Sequence, residues 1–198
     1  MATPPDFTTG QVLTAAQMNA VGLWKITPTV SGTGMSVVGN EVVMSDVTDG
    51  QVRLVFNSDF RHYRMIFQHN ASTTMSVNMQ MLSGTSTIDS SSVYRYAALG
   101  WVSDGTGYND NSTGATDLPI GGGGQSDAGS SYKILDFMGP NVAARTWVQA
   151  DWGIEWTGNL VYMRRYACLV DTATQYTGIR VFTSGGNIDG TISVYGYN

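Results

Sequence analysis

The chain has 198 residues, a net charge of −5 at pH 7, and only 13% charged residues, about half the share in an average soluble protein. Lys and Glu, which favour helices, occur twice each, which argues against a helical bundle or a coiled coil. The negative charge makes nucleic acid and anionic membrane surfaces poor partners. No apolar run approaches the ~20 residues of a membrane-spanning helix, and the first ten residues do not resemble a secretory signal. We therefore expect neither nucleic-acid binding nor membrane insertion.

One short helix is predicted near the start of the chain. Thr14 and Gln17 have the three-residue spacing of a capping box, and Gly22 suits the left-handed position that ends a helix. A helix over Ala15–Val21 is too short to be stable alone in water, so it must dock on another surface. We expect residues 1–25 to form a separate attachment segment. Its attachment and oligomer contacts are assigned to Leu13, Thr14, Gln17, Met18, Val21 and Trp24.

Beyond residue 25 the apolar pattern has a period of two, which predicts β-strands. Gly39-Asn40 is a two-residue hairpin signal, alternation continues through Val52–Phe56 and later segments, and nine or ten strands are expected in all. Strands with one polar face are typical of antiparallel sheets. Residues 26–198 are therefore predicted to be an all-β, two-sheet antiparallel sandwich, jelly-roll-like, preceded by the one short helix.

The stretch 103–131 interrupts this pattern with many glycines and polar residues. We expect it to be one long loop that binds a ligand or a neighbouring subunit, because long structureless connections are uncommon in compact domains. Aromatic residues flank it, and short amide and carboxylate groups within it can hydrogen-bond sugar hydroxyls. The candidate ligand-binding residues are Tyr94, Tyr96, Trp101, Tyr108, Asn109, Asp110 and Asn111. The alternative is that these residues form turns and pack on another subunit.

Catalytic motifs are not recognised. His62 and His69 lack a tight metal-ligand spacing, and Asp151 and Glu155 fit solvated or arginine-paired roles on one strand. Cys168 is the only cysteine and is expected to be a buried, inert thiol. We expect no enzymatic activity, no cofactor and no metal.

Three phrases resemble tailed-bacteriophage tail fibres and other virion appendage proteins. They are FTTGQVLTAAQMN over residues 7–19, FRHYRMIF over residues 60–67 and TSGGNIDGTISVYGY over residues 183–197. The resemblance implies a virion structural protein, often a homotrimer, that attaches through its N-terminus to other virion proteins and displays a β domain. It identifies no catalytic residue.

The leading hypothesis is a short tail fibre, made in the host cytoplasm and located in the virion, whose β domain binds a host surface glycan. Neutral polar surfaces suit sugar hydroxyls, which need matched donors and acceptors. One alternative is a head decoration or head fibre protein without receptor binding. The other is a glycan-cleaving appendage.

Overall fold

The computed structural model describes residues 22–73, 75–121, 131–156 and 160–198, and within them all regular structure is β-strand. The predicted helix lies outside the described residues. The first eight strands are β1 (Trp24–Ile26), β2 (Thr29–Ser31), β3 (Met35–Val38), β4 (Glu41–Val47), β5 (Asp49–Arg53), β6 (His62–Ala71), β7 (Val77–Ser83) and β8 (Thr87–Ile88). The other eight are β9 (Tyr94–Val102), β10 (Gly107–Ala115), β11 (Leu118–Gly121), β12 (Ser131–Met138), β13 (Thr146–Trp156), β14 (Leu160–Val170), β15 (Gly178–Thr183) and β16 (Ile188–Tyr197).

The strands form two antiparallel sheets. The large sheet has ten strands in the order β10-β9-β14-β13-β12-β6-β16-β4-β3, with β1 also paired to β16. The small sheet has six strands in the order β11-β7-β15-β5-β2, with β8 also paired to β7. The predicted two-sheet antiparallel sandwich is therefore confirmed.

The buried apolar residues of the described strands form one core between the sheets. Alternate side chains along each central strand point inward, as the period-two pattern requires. On the large sheet they include Met65, Phe67, Leu135, Phe137, Val148, Ala150, Trp152, Tyr166 and Cys168. On the small sheet they include Val52, Val77, Met79, Met81, Leu118, Ile179 and Val181. The outward face of the large sheet, which does not contact the small sheet, carries exposed side chains such as Trp101 and Met163.

The predicted hairpin turn at Gly39-Asn40 is confirmed, whereas the predicted end of the strand Val52–Phe56 is wrong. Gly39 and Asn40 both have positive φ, 56° and 68°, as a two-residue type I′ turn between β3 and β4 requires. In contrast, the predicted strand Val52–Phe56 ends early, because Leu54 also has positive φ (55°) and is 53% exposed. The apolar alternation over residues 52–56 therefore covers the end of β5 and the bend that follows it.

The prediction of one irregular loop over residues 103–131 is wrong for its middle part, which forms β10 and β11. Strand β10 lies at the edge of the large sheet and pairs only with β9 among the described strands. Most of its side chains are exposed on both faces, so its sequence needs no apolar alternation and does not look like a strand. Pro119 in β11 is tolerated because β11 is also an edge strand.

The N-terminal attachment residues are mostly beyond what the structure describes. Leu13, Thr14, Gln17, Met18 and Val21 lie outside the described residues. Trp24 begins β1, opposite Gly196 of β16, and its half-buried side chain packs against the core. Trp24 is thus part of the sandwich, and the role of the preceding residues stays a prediction.

Candidate functional site

Strand pairing aligns two rows of side chains on the outward face of the large sheet. In the first, Trp101 of β9, Met163 of β14, Gly153 of β13 and Tyr132 of β12 are successive register partners. We call this the aromatic row. In the second, the successive partners are Asn109, Leu99, Arg165, Asp151 and Ile134. We call this the ion-pair row, and it lies two residues along the strands from the first.

The two rows line an open groove of about 1380 Å³. Trp101 is 56% exposed and Tyr132 is 46% exposed, and both belong to its lining together with Met163. The small side chains Ala97 and Ala167, which are partners on β9 and β14, add to the lining beyond the ion-pair row. Large apolar side chains that remain this exposed on a sheet typically mark a binding surface.

Gly153 determines how Tyr132 lies in the groove. A Cβ atom built on Gly153 would stand 3.0 Å from Cε1 of Tyr132 and 3.7 Å from Cδ1 and Cζ of the same ring. The phenol ring therefore covers the glycine on the neighbouring strand. A side chain at position 153 would force this aromatic surface to shift by a few tenths of an ångström or more.

An ion pair occupies the middle of the ion-pair row. Arg165 donates through Nε to Oδ1 of Asp151 at 2.6 Å and through Nη2 to Oδ2 at 3.1 Å. Gln149, two residues from Asp151 on β13, donates to the same carboxylate at 3.4 Å. The paired guanidinium and carboxylate, both partly exposed, present hydrogen-bond donors and acceptors side by side.

The structure brings part of the predicted ligand-binding set to this groove. Trp101, Asn109 and Asn111 line it from the outward face, and Asp110 also belongs to the lining although its side chain lies on the inward side. Tyr108 instead lines a smaller adjacent hollow of about 250 Å³, shared with Trp101 and Asn109. These residues lie on strands rather than on a loop, so the sheet fixes their spacing.

Four predicted residues lie instead on the inward side of the sheet: Tyr94, Tyr96, Tyr108 and Asp110. The Tyr108 ring packs edge-on against Tyr162, with ring centroids 5.3 Å apart, and the Asp110 carboxylate lies near Arg164. Tyr96 is half-buried on the inward face and packs edge-on against Tyr166, with ring centroids 5.7 Å apart. Tyr94 is fully buried: its hydroxyl accepts a hydrogen bond from the Met81 amide and donates to the Asp89 carbonyl, both at 2.8 Å. The prediction that Tyr94 contacts a ligand is therefore replaced by a structural role that links the two sheets.

Arg164 lies on the opposite side of the sheet from Arg165, as neighbouring residues on a strand must. Its Nη1 donates to the hydroxyl of Tyr166 at 2.5 Å and lies 3.6 Å from Oδ2 of Asp110. The guanidinium also stands 5.5–5.9 Å from the ring centroids of Trp152, Tyr162 and Tyr166. Burial raises the pKa of Tyr166, which keeps the hydroxyl protonated as an acceptor for the arginine. This cluster ties the edge strand β10 to β14 behind the groove.

A second buried polar cluster lies in the large sheet. Lys133 Nζ contacts Nε2 of His69 and lies 3.1 Å from Oγ of Ser131. Desolvation, followed by the nearby Lys133 charge, lowers the pKa of His69 to about 2, so the imidazole is neutral in the folded protein. Burial also raises the pKa of Cys168, consistent with an inert thiol. Within the described ranges, no three His, Cys, Asp or Glu side chains are grouped as metal ligands.

Sequence reasoning missed Tyr132, Met163 and the Arg165–Asp151 pair as groove residues. Each lies on a strand, but their proximity depends on which strands are neighbours and in which register. The chain order β9, β12, β13, β14 differs from the spatial order β9-β14-β13-β12. No local motif carries that information.

Comparisons with known proteins add little. No protein-family model matches the chain, and no curated protein is similar enough in sequence to count as a relative. Among solved structures, a lectin-like defence protein of Phaseolus vulgaris, arcelin-5, is similar over 87% of this chain and 93% of its own, with 8% identity and a TM-score of 0.25. This likeness is too low to support an inference about the present chain.

Proposed function

We propose that the protein is a bacteriophage virion appendage, a short tail fibre that binds a host surface glycan through the groove on its large sheet. The observation that supports this proposal is the groove itself, in which a row of exposed aromatic rings lies beside a row that contains a paired arginine and aspartate. Aromatic rings pack on the apolar faces of sugars, while carboxylates, amides and guanidinium groups hydrogen-bond their hydroxyls.

The N-terminal segment supplies the attachment in this proposal. Among the described residues the first strand, β1, begins at Trp24, and in this proposal the residues that precede it form the anchor. The anchor joins other virion proteins, and the copies assemble as a homotrimer, as the resemblance in residues 7–19 implies. Located in the virion, the protein needs neither a cofactor nor a catalytic group for this role.

A second candidate is a head decoration protein without receptor binding. The exposed apolar residues Leu99, Val161 and Met163 would also suit a protein neighbour on a capsid surface. A glycan-cleaving appendage is the third candidate. It requires a pair of carboxylates on either side of the sugar bond, whereas Asp151 is already paired with Arg165.

The test combines location with adsorption. Antibody labelling of intact virions is expected to mark the tail, and the purified protein is expected to compete with virions for host cells. The Trp101→Ala variant should lose this competition, whereas Trp147→Ala, an equally exposed tryptophan that does not line the groove, should retain it. Label on the capsid shell, or equal competition by both variants, would contradict the proposal. New reducing ends in host polysaccharide would favour the cleaving appendage.

A further inference from the structure

We infer that the ligand of the groove is a neutral oligosaccharide of several hexose units, which lies across the strands along the aromatic row. This inference rests on the proposed function and adds the class, length and direction of the ligand. It follows from the spacing of the two rows, from their different chemistry and from the charges that line the groove.

The length follows from strand spacing. Trp101 on β9 and Tyr132 on β12 are separated by β14 and β13, which makes three inter-strand steps. At about 4.8 Å per step, the backbones at the two positions are roughly 14 Å apart across the sheet, and the Tyr132 ring, which lies over Gly153 on β13, is roughly 10 Å from β9. A single sugar ring cannot contact both aromatic side chains. A chain of several units can, provided that it runs perpendicular to the strands.

The class follows from the contrast between the rows. Trp101, Met163 and Tyr132 present apolar surface along a line, and the Tyr132 ring lies over Gly153 on the neighbouring strand. The ion-pair row lies two residues away, at about 6.7 Å along the strands. An extended hexose chain has this same division, with apolar ring faces and hydroxyl-bearing edges. One edge of the chain then meets Asn109, Arg165 and Asp151.

The ligand is expected to be uncharged because of the charged side chains that line the groove. The groove lining contains two arginines, and each already has an aspartate partner: Arg165 with Asp151 and Arg164 with Asp110. Arg164 is in addition directed to the inward face, where it contacts Tyr166. A carboxylated sugar would have to displace an aspartate from its arginine and would lie beside that carboxylate. Hydroxyl groups can instead donate to Asp151 and accept from Arg165 without breaking the pair.

The experiment measures binding of the full chain to hexose oligomers by calorimetry. The probes are gluco-, manno- and galacto-oligosaccharides of one to six units, with hexagalacturonate as the charged counterpart. In at least one neutral series, affinity should rise at least tenfold between one and four units and then level off. Hexagalacturonate should bind at least tenfold more weakly than the best neutral hexamer.

Four variants test the geometry. Trp101→Ala and Tyr132→Ala should each lower affinity for the longest neutral oligomer by about tenfold, as loss of a buried aromatic contact does. Gly153→Ala should lower it as well, because the new methyl group moves the Tyr132 ring. Trp147→Ala should have no effect. All four positions lie on the outward face of the sheet. Circular dichroism and thermal unfolding should show that each variant is folded.

The outcomes separate this inference from the proposed function. Three results would overturn the inference and leave the proposed function standing, provided that a host glycan binds. They are an affinity that does not rise beyond one sugar unit, tighter binding of the uronate than of the neutral hexamer, and an affinity that Tyr132→Ala does not change. Failure to bind neutral oligomers, uronate and whole host polysaccharide would overturn both. A change of oligomeric mass in Trp101→Ala, measured by light scattering, would show that another copy of the chain occupies the groove and would also overturn the inference.

Discussion

Replacing Tyr94 by Phe tests whether the Tyr94 hydroxyl holds the two sheets together. Met81 lies on β7 between the segments that pair with β11 and with β8, and its amide donates to the Tyr94 hydroxyl instead of to a strand. The hydroxyl in turn donates to the carbonyl of Asp89, whose carboxylate accepts a hydrogen bond from Tyr176. The substitution removes one oxygen atom and leaves the buried Met81 N–H and the partly buried Asp89 C=O without this partner.

The expected cost is about 2–3 kcal/mol in the free energy of unfolding. Each neutral hydrogen bond contributes about 1 kcal/mol, and an unsatisfied buried donor adds a penalty of about 1 kcal/mol or more. Urea denaturation measures the change, and Tyr132→Phe, at an exposed position, is the matched control with an expected cost below about 0.5 kcal/mol. A cost below about 0.5 kcal/mol for Tyr94→Phe would refute the structural role. Weaker glycan binding at unchanged stability would restore Tyr94 as a ligand contact.

Three further predictions follow from buried contacts and chain organisation. His69 has a folded pKa of about 2 and an unfolded pKa near 6.5, so its contribution to stability is complete above pH 6.5 and is lost as pH falls, by about 1.4 kcal/mol per unit. Unfolding measured from pH 7 to pH 4 should therefore be less pH-dependent in His69→Gln, and equal slopes would contradict this. Gly190→Ala should destabilise by roughly 2–3 kcal/mol, because its Cβ would stand 2.0 Å from the carbonyl oxygen of Gln68, whereas Gly107→Ala, with no atom within 4 Å, should be neutral in the same denaturation assay. Deletion of residues 1–21 should leave cooperative unfolding intact and abolish incorporation into virions; an unfolded product, or normal incorporation, would contradict the predicted organisation.

The fold class could be predicted because alternation is a local signal. Strands such as β12 and β14 bury every second side chain, so their sequences show the period directly. Gly39-Asn40 was also predictable, since two positive φ angles in succession strongly favour these residue types. Strand β10 was not, because an edge strand open on both faces is held mainly by its backbone pairing with β9.

The candidate site was predictable only in part. Trp101, Asn109 and Asn111 stood out because they combine aromatic and amide groups close together in sequence. Tyr132 is about thirty residues away in the chain, and its place in the groove depends on β13 and β14 being inserted between β12 and β9. Tyr94 was misassigned because its apolar ring and polar hydroxyl suit a buried cross-sheet link as well as a sugar contact.

Methionine methyl NMR provides the most direct test of the groove as the recognition surface. The chain has ten methionines, of which Met163 lies in the aromatic row between Trp101 and Tyr132, while the exposed Met138 lies on β12 outside the groove lining. Titration with the tightest neutral oligosaccharide should shift the Met163 methyl resonance and leave that of Met138 unchanged, with Met163→Leu identifying the signal. A saturable shift of Met138, or of other methionines without Met163, would place recognition elsewhere and contradict the account.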